Sequence, residues 1–406
     1  MLKSKYLKAV YSLCMVIFFI AYTPFVSDNK TIICYLSMLA LVLFILIYYI
    51  YRHSIDFSSY IIFGFLYLFI CAFQTFIINR NIFDSFFYYI LICSLLPLVT
   101  LIPLNNNDNT NLLSLDKFIK SLIVILVFIF NILSIKTILI SGQKEGIFGN
   151  RNILGGINLV SFIILISNSL LNHNRVIKIF YIILSIFSLF VCFVTTCRSA
   201  LLGIFIFVIL LIIEFCLKYK VFIKKKKKYF ILGIIIAMLV VFFLRNSILD
   251  YFLKGAQNAD NILSVALSDR YEVWTNAFPN IMKNHWIFGN GVRTFNTGII
   301  RDLNYLCEDI RGFYVRFCHC WPLDIVYSGG LFGLVFFIIF VIQLVIYLKR
   351  KNFNLSKLST RLSFYAIVAL LFSGLFDNYA IWDLSYINLL FFIELGKIVG
   401  SKYEKE

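Results

Sequence analysis

Long apolar runs separated by short polar connections dominate the chain. The runs lie at about 6–26, 31–51, 59–79, 82–104, 118–140, 152–171, 176–195, 199–217, 229–244, 322–348, 362–376 and 380–399. A helix needs about 20 apolar residues to cross the hydrocarbon core. The pattern therefore predicts about twelve transmembrane helices, of which 229–244 and 362–376 are the shortest. The fold class is an all-α polytopic membrane protein, with 1–406 as a single membrane domain. One long polar stretch, 245–320, falls between the ninth and tenth spans and reads as a large, partly helical extracytoplasmic loop.

That loop has a pattern of its own. Leu267, Tyr271, Trp274, Phe278 and Ile281 recur at four- and three-residue steps, as on one face of an amphipathic helix. Asp269 and Glu272 are spaced for a capping box. Pro279 is placed to end or kink the helix, and Gly289-Asn290-Gly291 marks a turn. The loop reads as a folded rim over a membrane cavity. Its eight basic residues nearly balance seven acidic ones.

Composition strengthens the membrane reading. Of 406 residues, 61% are hydrophobic and 14% charged, against about a quarter charged in soluble domains. Tyr6 to Val26 is followed by no small-residue cleavage site, so a retained span is expected there. The net charge of +17 first suggests a nucleic-acid partner. Its distribution excludes that reading, because the cations cluster between apolar runs as orientation signals do. With both termini in the cytoplasm, 23 basic residues fall in inside connections and six in the short outside ones. The run Lys224–Lys228 is the sharpest inside anchor. Six of the ten cysteines (Cys14, Cys34, Cys71, Cys93, Cys192 and Cys216) fall within apolar runs and read as small buried hydrophobes.

Under this topology four polar clusters collect at the outer ends of spans. They are Gly149-Asn150-Arg151-Asn152, Thr195-Thr196-Cys197-Arg198-Ser199-Ala200, Ser268-Asp269-Arg270-Tyr271 and Cys318-His319-Cys320-Trp321. Arginine forks match phosphate oxygens bidentately, and a histidine takes a proton from a hydroxyl near neutral pH. The set suits a phosphate-linked donor meeting an alcohol acceptor. Each member also has a plainer reading. Arg198 snorkels to headgroups, Arg270 pairs with Asp269 or Glu272 on a solvated helix, and His319 is an interfacial histidine. His285, beside Trp286, reads as structural. Arg293, Arg301, Arg311 and Arg316 are further cations of the loop that sequence does not rank. Asp324 is placed either to orient His319 or to pair with an arginine.

Other chemistries lack their signatures. Adjacent Cys318, His319 and Cys320 do not suit one tetrahedral ion, and no second ligand pair follows. A disulfide from Cys307 to Cys318 or Cys320 competes with free thiols. There is no phosphate-binding glycine loop, H-E-x-x-H or G-x-S-x-G. Gly329, Gly330 and Gly333 favour close helix packing.

Taken together, these stretches resemble the O-antigen ligase and polymerase family of bacterial surface-glycan assembly. Gly149-Asn150-Arg151-Asn152 is similar to its G-N-x-N segment, and Thr195–Gly203 to its T-x-S-R-x-A-L-L-G turn. Ser268–Trp274 with Ile287–Gly291 resembles its S-x-R-x-x-x-W and p-x-x-G-x-G segments. His319 with Gly329–Leu334 resembles H-N-x-x-L followed by E-x-G-x-x-G-L. The family-like region spans 147–340. The chain departs from the pattern at Cys320, where Asn is usual, and at Tyr327 or Ser328, where an acid is usual. The departure at Cys320 favours a polymerase over a ligase.

The resemblance implies a metal-independent inverting glycosyltransferase of the bacterial cytoplasmic membrane that needs no cofactor. Its donor is a glycan on undecaprenyl pyrophosphate. Arg198 and Arg270 hold the pyrophosphate and His319 activates the acceptor hydroxyl. Asn152, Arg151, Arg293, Arg316 and Trp274 are the expected substrate contacts, on the extracytoplasmic face. Expected partners are the lipid-linked oligosaccharide, the lipid bilayer, and a chain-length regulator and flippase of the same pathway. The product is a surface polysaccharide such as capsule or O-antigen. A ligase moving finished glycan to another acceptor is the alternative within this chemistry. A secondary transporter or lipid-glycan flippase is the alternative outside it, although transporters bind near the midplane.

Overall fold

The structure, a computed structural model, describes residues 59–79, 110–218, 270–291, 318–350, 355, 357–377 and 386–400. Every described element is helical. In chain order they are α1 (Ser59–Asn79), α2 (Thr110–Ser141), α3 (Arg151–Leu171), α4 (Arg175–Val194) and α5 (Arg198–Lys218). A short rod follows, made of α6 (Arg270–Glu272), a π turn (Val273–Ala277) and α7 (Phe278–Met282). Then come α8 (Trp321–Arg350), α9 (Leu358–Ser373) with a 3-10 turn (Gly374–Phe376), and α10 (Tyr386–Gly400).

Six of these are long and apolar enough to cross a bilayer: Ile119–Ser141, Arg151–Leu171, Arg175–Val194, Arg198–Lys218, Trp321–Arg350 and Leu358–Phe376. The chain is thus a polytopic α-helical membrane protein. The span expected at 362–376 begins earlier, at Leu358, and gains the length it lacked. The runs at 6–26, 31–51, 82–104 and 229–244 lie outside the described residues.

Neighbouring spans run antiparallel and are joined by polar contacts as well as by packing. Asn131 and Asn158 exchange reciprocal amide hydrogen bonds of 2.6 and 2.9 Å between α2 and α3. Ser188 donates to Ser161 across α3 and α4 at 3.2 Å. Lipid offers no hydrophobic drive for helix association, so such bonds and small-residue contacts do that work. A Cβ on Gly155 would stand 2.3 Å from the Cys197 Cβ, and one on Gly203 would press on Leu159 and Ser373.

The bundle has two chemically different ends. Lys117, Lys120, Arg175, Lys178, Lys218, Lys349, Arg350, Lys357, Arg361 and Lys397 gather at one. There Arg361 pairs with Glu214 at 2.7 Å, and the Tyr365 hydroxyl donates to the same carboxylate at 2.6 Å. Lys120, expected in an inside connection, is instead buried within α2 and paired with Glu394 of α10. The reason is that α2 begins about two turns before the apolar run does, at Thr110. The other end carries the four polar clusters.

The tenth apolar run is not a simple helix. Gly330 has φ 62° and ψ −162°, a break inside α8. An unbroken helix would bond the N–H of Leu331 to Tyr327 and that of Phe332 to Ser328. Instead the strip Trp286–Gly291 is set into the gap. Leu331 donates to the Trp286 carbonyl at 2.7 Å and Phe332 to that of Ile287 at 3.0 Å. The freed carbonyls of Tyr327 and Ser328 accept from Asn290 at 2.7 Å and Gly291 at 3.0 Å. Backbone meets backbone so closely that a Cβ on Gly289 would lie 2.5 Å from the Gly330 nitrogen. The two glycine-rich stretches of the family-like region are therefore partners. Gly329 and Gly333 pack against α1, as expected of small residues, whereas Gly330 breaks the helix instead.

Candidate functional site

At the polar end, a left-handed Gly149 (φ 60°) turns the chain, and Asn150 caps α3 by accepting from the Asn152 N–H at 2.8 Å. The cap leaves the Asn152 side chain near the mouth of the bundle, where its Nδ2 donates to Asp377 Oδ1 at 3.4 Å. Arg151, half-buried, opens the same helix.

The second cluster is a tight turn between α4 and α5. Thr196 takes φ 54° and Cys197 is buried against Gly155. Burial pushes the Cys197 thiol up to about 11, and the nearby Asp377 carboxylate acts in the same direction. The next residues, Arg198 and Ser199, begin α5. Ser199 Oγ donates to Asp377 Oδ2 at 2.7 Å, and its carbonyl accepts from Ser373 Oγ at 2.9 Å.

The third cluster converges on the same carboxylate. Arg270 Nη2 stands 4.0 Å from Asp377 Oδ1, with the carboxylate side chain only 2% exposed. Arg270 thus has a partner across the fold; Asp269, one of the two partners expected along the helix, lies outside the described residues. Val273, Phe278, Ile281 and Met282 seat the rod against Cys318 and Tyr327, with Trp274 packed beside them; Phe278, Ile281 and Trp274 belong to the expected face, Val273 and Met282 do not, and Leu267 lies outside the described residues. Pro279 does not end the rod. The turn before it widens to a π turn, which accommodates a ring that would otherwise strike the preceding turn.

The rod also carries the link to the fourth cluster. Trp274 Nε1 donates to the Cys318 carbonyl at 2.7 Å, and its ring lies 6.1 Å from Phe376, the neighbour of Asp377. Asp324 Oδ1 accepts from the Cys318 N–H at 3.0 Å, while the Asp324 N–H donates to the Cys320 carbonyl at 2.9 Å. Both backbone groups of Cys318 are thereby fixed, and His319 is held at φ 54°. Among the described residues, Thr196 and His319 are the two non-glycines with positive φ. Such strain persists only where surrounding contacts impose it. Here it sits beside Arg198 and at His319 itself.

The carboxylate of Asp324 therefore holds the backbone of the residue before His319. Cys318 and Cys320 carry free thiols, and Cys307, the other candidate for a bridge, lies outside the described residues. Burial raises both thiols above their ordinary range, and Asp324 adds to the effect. Arg293 and Arg316 lie outside the described residues, as do Ser268 and Asp269.

The structure thus ties Asn152, Ser199 and Arg270 directly to one buried carboxylate. Arg198 stands next to Ser199, and His319 next to Cys318, which Trp274 and Asp324 hold. The centre, Asp377, was missed in the sequence reading. Its signal was an acidic residue next to Asn378 in the short connection after α9, at the same end as the arginines.

No curated protein matches the chain. Residues 183–338, the stretch holding Arg198, Arg270, Trp274 and His319, match the family model described as O-antigen ligase, and over that stretch the chain is similar to that family.

Proposed function

We propose that the protein is a membrane glycosyltransferase that joins oligosaccharide repeats carried on undecaprenyl pyrophosphate into a surface polysaccharide. The observation that carries this reading is the convergence on Asp377. Three distant segments bring a guanidinium, an amide and a hydroxyl to one buried carboxylate. Trp274 joins that centre to the turn that presents His319. Asp377 is suited to aim Arg270 rather than to bind substrate, because a carboxylate repels pyrophosphate.

In the reaction, Arg198 and Arg270 hold the donor's pyrophosphate, with Arg151, Asn152, Trp274, Arg293 and Arg316 as further contacts. His319 takes the proton from the acceptor hydroxyl. The hydroxyl oxygen forms a bond to the anomeric carbon as the bond from that carbon to the pyrophosphate oxygen breaks, with inversion. The electron pair leaves with the lipid pyrophosphate, whose growing charge the arginines stabilise. The leaving group is already activated, so no nucleotide is consumed.

The positive-inside rule assigns the basic end of the bundle to the cytoplasm. The reacting end then faces the extracytoplasmic side of the bacterial cytoplasmic membrane, with both termini in the cytoplasm. A chain-length regulator and a flippase are the pathway partners.

The test is reconstitution in vesicles with a purified lipid-linked repeat and no nucleotide. Lengthening of the lipid-linked chain supports the polymerase, and no transfer to any acceptor sinks the proposal. Transfer to a different lipid or protein acceptor alone supports a ligase, the second reading, which the similarity to the O-antigen ligase family favours.

A further inference from the structure

The strip Trp286–Gly291 has a depth in the bundle as well as partners. Helices α1 and α8 run antiparallel, with Tyr60 against Tyr347, Tyr67 against Phe337, and Gly329 against Cys71. Following the same register, Gln74 Nε2 donates to the Gly289 carbonyl at 3.1 Å, and Gly291 lies against Thr75. The strip is thus level with residues 71–75 of a helix that continues to Asn79. At 1.5 Å per residue it sits roughly 6–12 Å below the end of α1.

Its two sides differ. Gly289, Asn290 and Gly291 face inward and are buried. Trp286, Ile287 and Phe288 are 41%, 63% and 52% exposed, beside Leu331 at 52% and Phe332 at 47%. Phe288 packs on Phe332 and Phe332 on Phe336, so the exposed face runs on into the apolar outer face of α8. Lys283 and Asn284, just before it, are exposed and polar. A lid washed by water would put polar residues outward. Non-helical backbone within hydrocarbon needs its N–H and C=O groups met by protein, and the broken α8 meets them at four positions.

We propose that residues 286–291 form a re-entrant segment seated in the hydrocarbon layer, with Trp286, Ile287 and Phe288 in contact with lipid acyl chains. Lys283 and Asn284 mark the headgroup level. The polar 245–320 stretch is then not wholly aqueous, and the rod bearing Arg270 is pinned at both ends, by Asp377 and by this membrane-embedded strip. The inference does not depend on the sugar-transfer reading.

The test uses full-length protein in vesicles whose lipids carry bromine either near the headgroup or mid-chain, with aqueous iodide as the opposing quencher. The Trp286 signal is the difference between wild-type and Trp286→Phe emission. It should lose most of its intensity to brominated lipid and little to iodide. Phe288→Trp should add a second reporter with the same behaviour, and it serves alone if Trp286→Phe does not fold. Quenching of these reporters by iodide rather than bromolipid overturns the proposal, and so does quenching by neither, which would put the strip under protein.

Discussion

The guanidinium of Arg270 lies 4.0 Å from the carboxylate of Asp377, and the same carboxylate accepts from Ser199 and Asn152. One buried acid therefore sets the position of a cation that arrives from a different part of the chain. Asp377→Asn keeps the size and removes the charge. Losing this aim should cost about 2 kcal/mol of transition-state stabilisation, roughly thirtyfold in chain extension. Amount and insertion of the protein should be near wild type. Unchanged extension rates in vesicles would remove Asp377 from the site.

His319 tests position apart from chemistry. Its φ of 54° belongs to the left-handed region, where Asn is tolerated better than most residues. His319→Asn should keep the turn, and with it the unfolding stability, within about 0.5 kcal/mol. Chain extension should fall by about 100-fold or more, the typical worth of a general base. A variant that retains activity would show that the imidazole carries no proton.

Gly330 and Gly333 differ in what a methyl would meet. At Gly330 the backbone lies in a region that only glycine occupies readily, and a Cβ would stand 2.5 Å from the Gly289 nitrogen. At Gly333 the nearest atom is the Tyr67 ring at 3.5 Å, an ordinary contact. Gly330→Ala should cost about 3 kcal/mol or more, since it adds strain and separates backbone groups that lipid cannot satisfy. Gly333→Ala should shift the melting temperature in detergent little. Equal effects would refute the inserted strip.

The helical architecture was legible because period and length alone identify membrane spans. Arg198, Arg270 and His319 stood out as polar groups at helix ends. Their common centre did not, because Asp377 follows a short apolar run and belongs to none of the four polar clusters. The break at Gly330 was also hidden. Glycine in a membrane helix signals close packing, and only the fold distinguishes Gly333, which packs, from Gly330, which opens the ladder to Trp286–Gly291. The partner of Lys120 was hidden for a similar reason, since a lysine near a span's end reads as a connection charge.

Cys197 gives a chemical check on the buried turn. Its thiol is held near 11 by burial, with Asp377 acting in the same direction, so almost no thiolate exists in the folded state at pH 8. A raised folded value also means that the unfolded chain ionises first. The turn should therefore lose stability as pH climbs from about 9 towards 11. Mass spectrometry after brief maleimide treatment at pH 8 should find half-buried Cys320 modified before Cys197. Early modification of Cys197 would mean that the turn is open.

At the basic end, Lys120 pairs with Glu394, and Lys397 lies 3.5 Å from the same carboxylate. Removing one partner of a buried pair leaves a charge uncompensated, which typically costs about 3–5 kcal/mol. Replacing both with apolar groups costs far less. Glu394→Leu should lower the melting temperature sharply, because it strands two lysines at once. Lys120→Met together with Glu394→Leu should recover most of that loss, since Lys397 is partly exposed and can turn towards the headgroups. Chain extension by the surviving folded fraction of either variant should match wild type, because this pair sits at the opposite end of the bundle from Asp377. If the double variant is as unstable as the single, Lys120 and Glu394 are not energetically coupled. If both fold well yet fail to extend chains, the separation between a structural basic end and a reacting polar end is wrong.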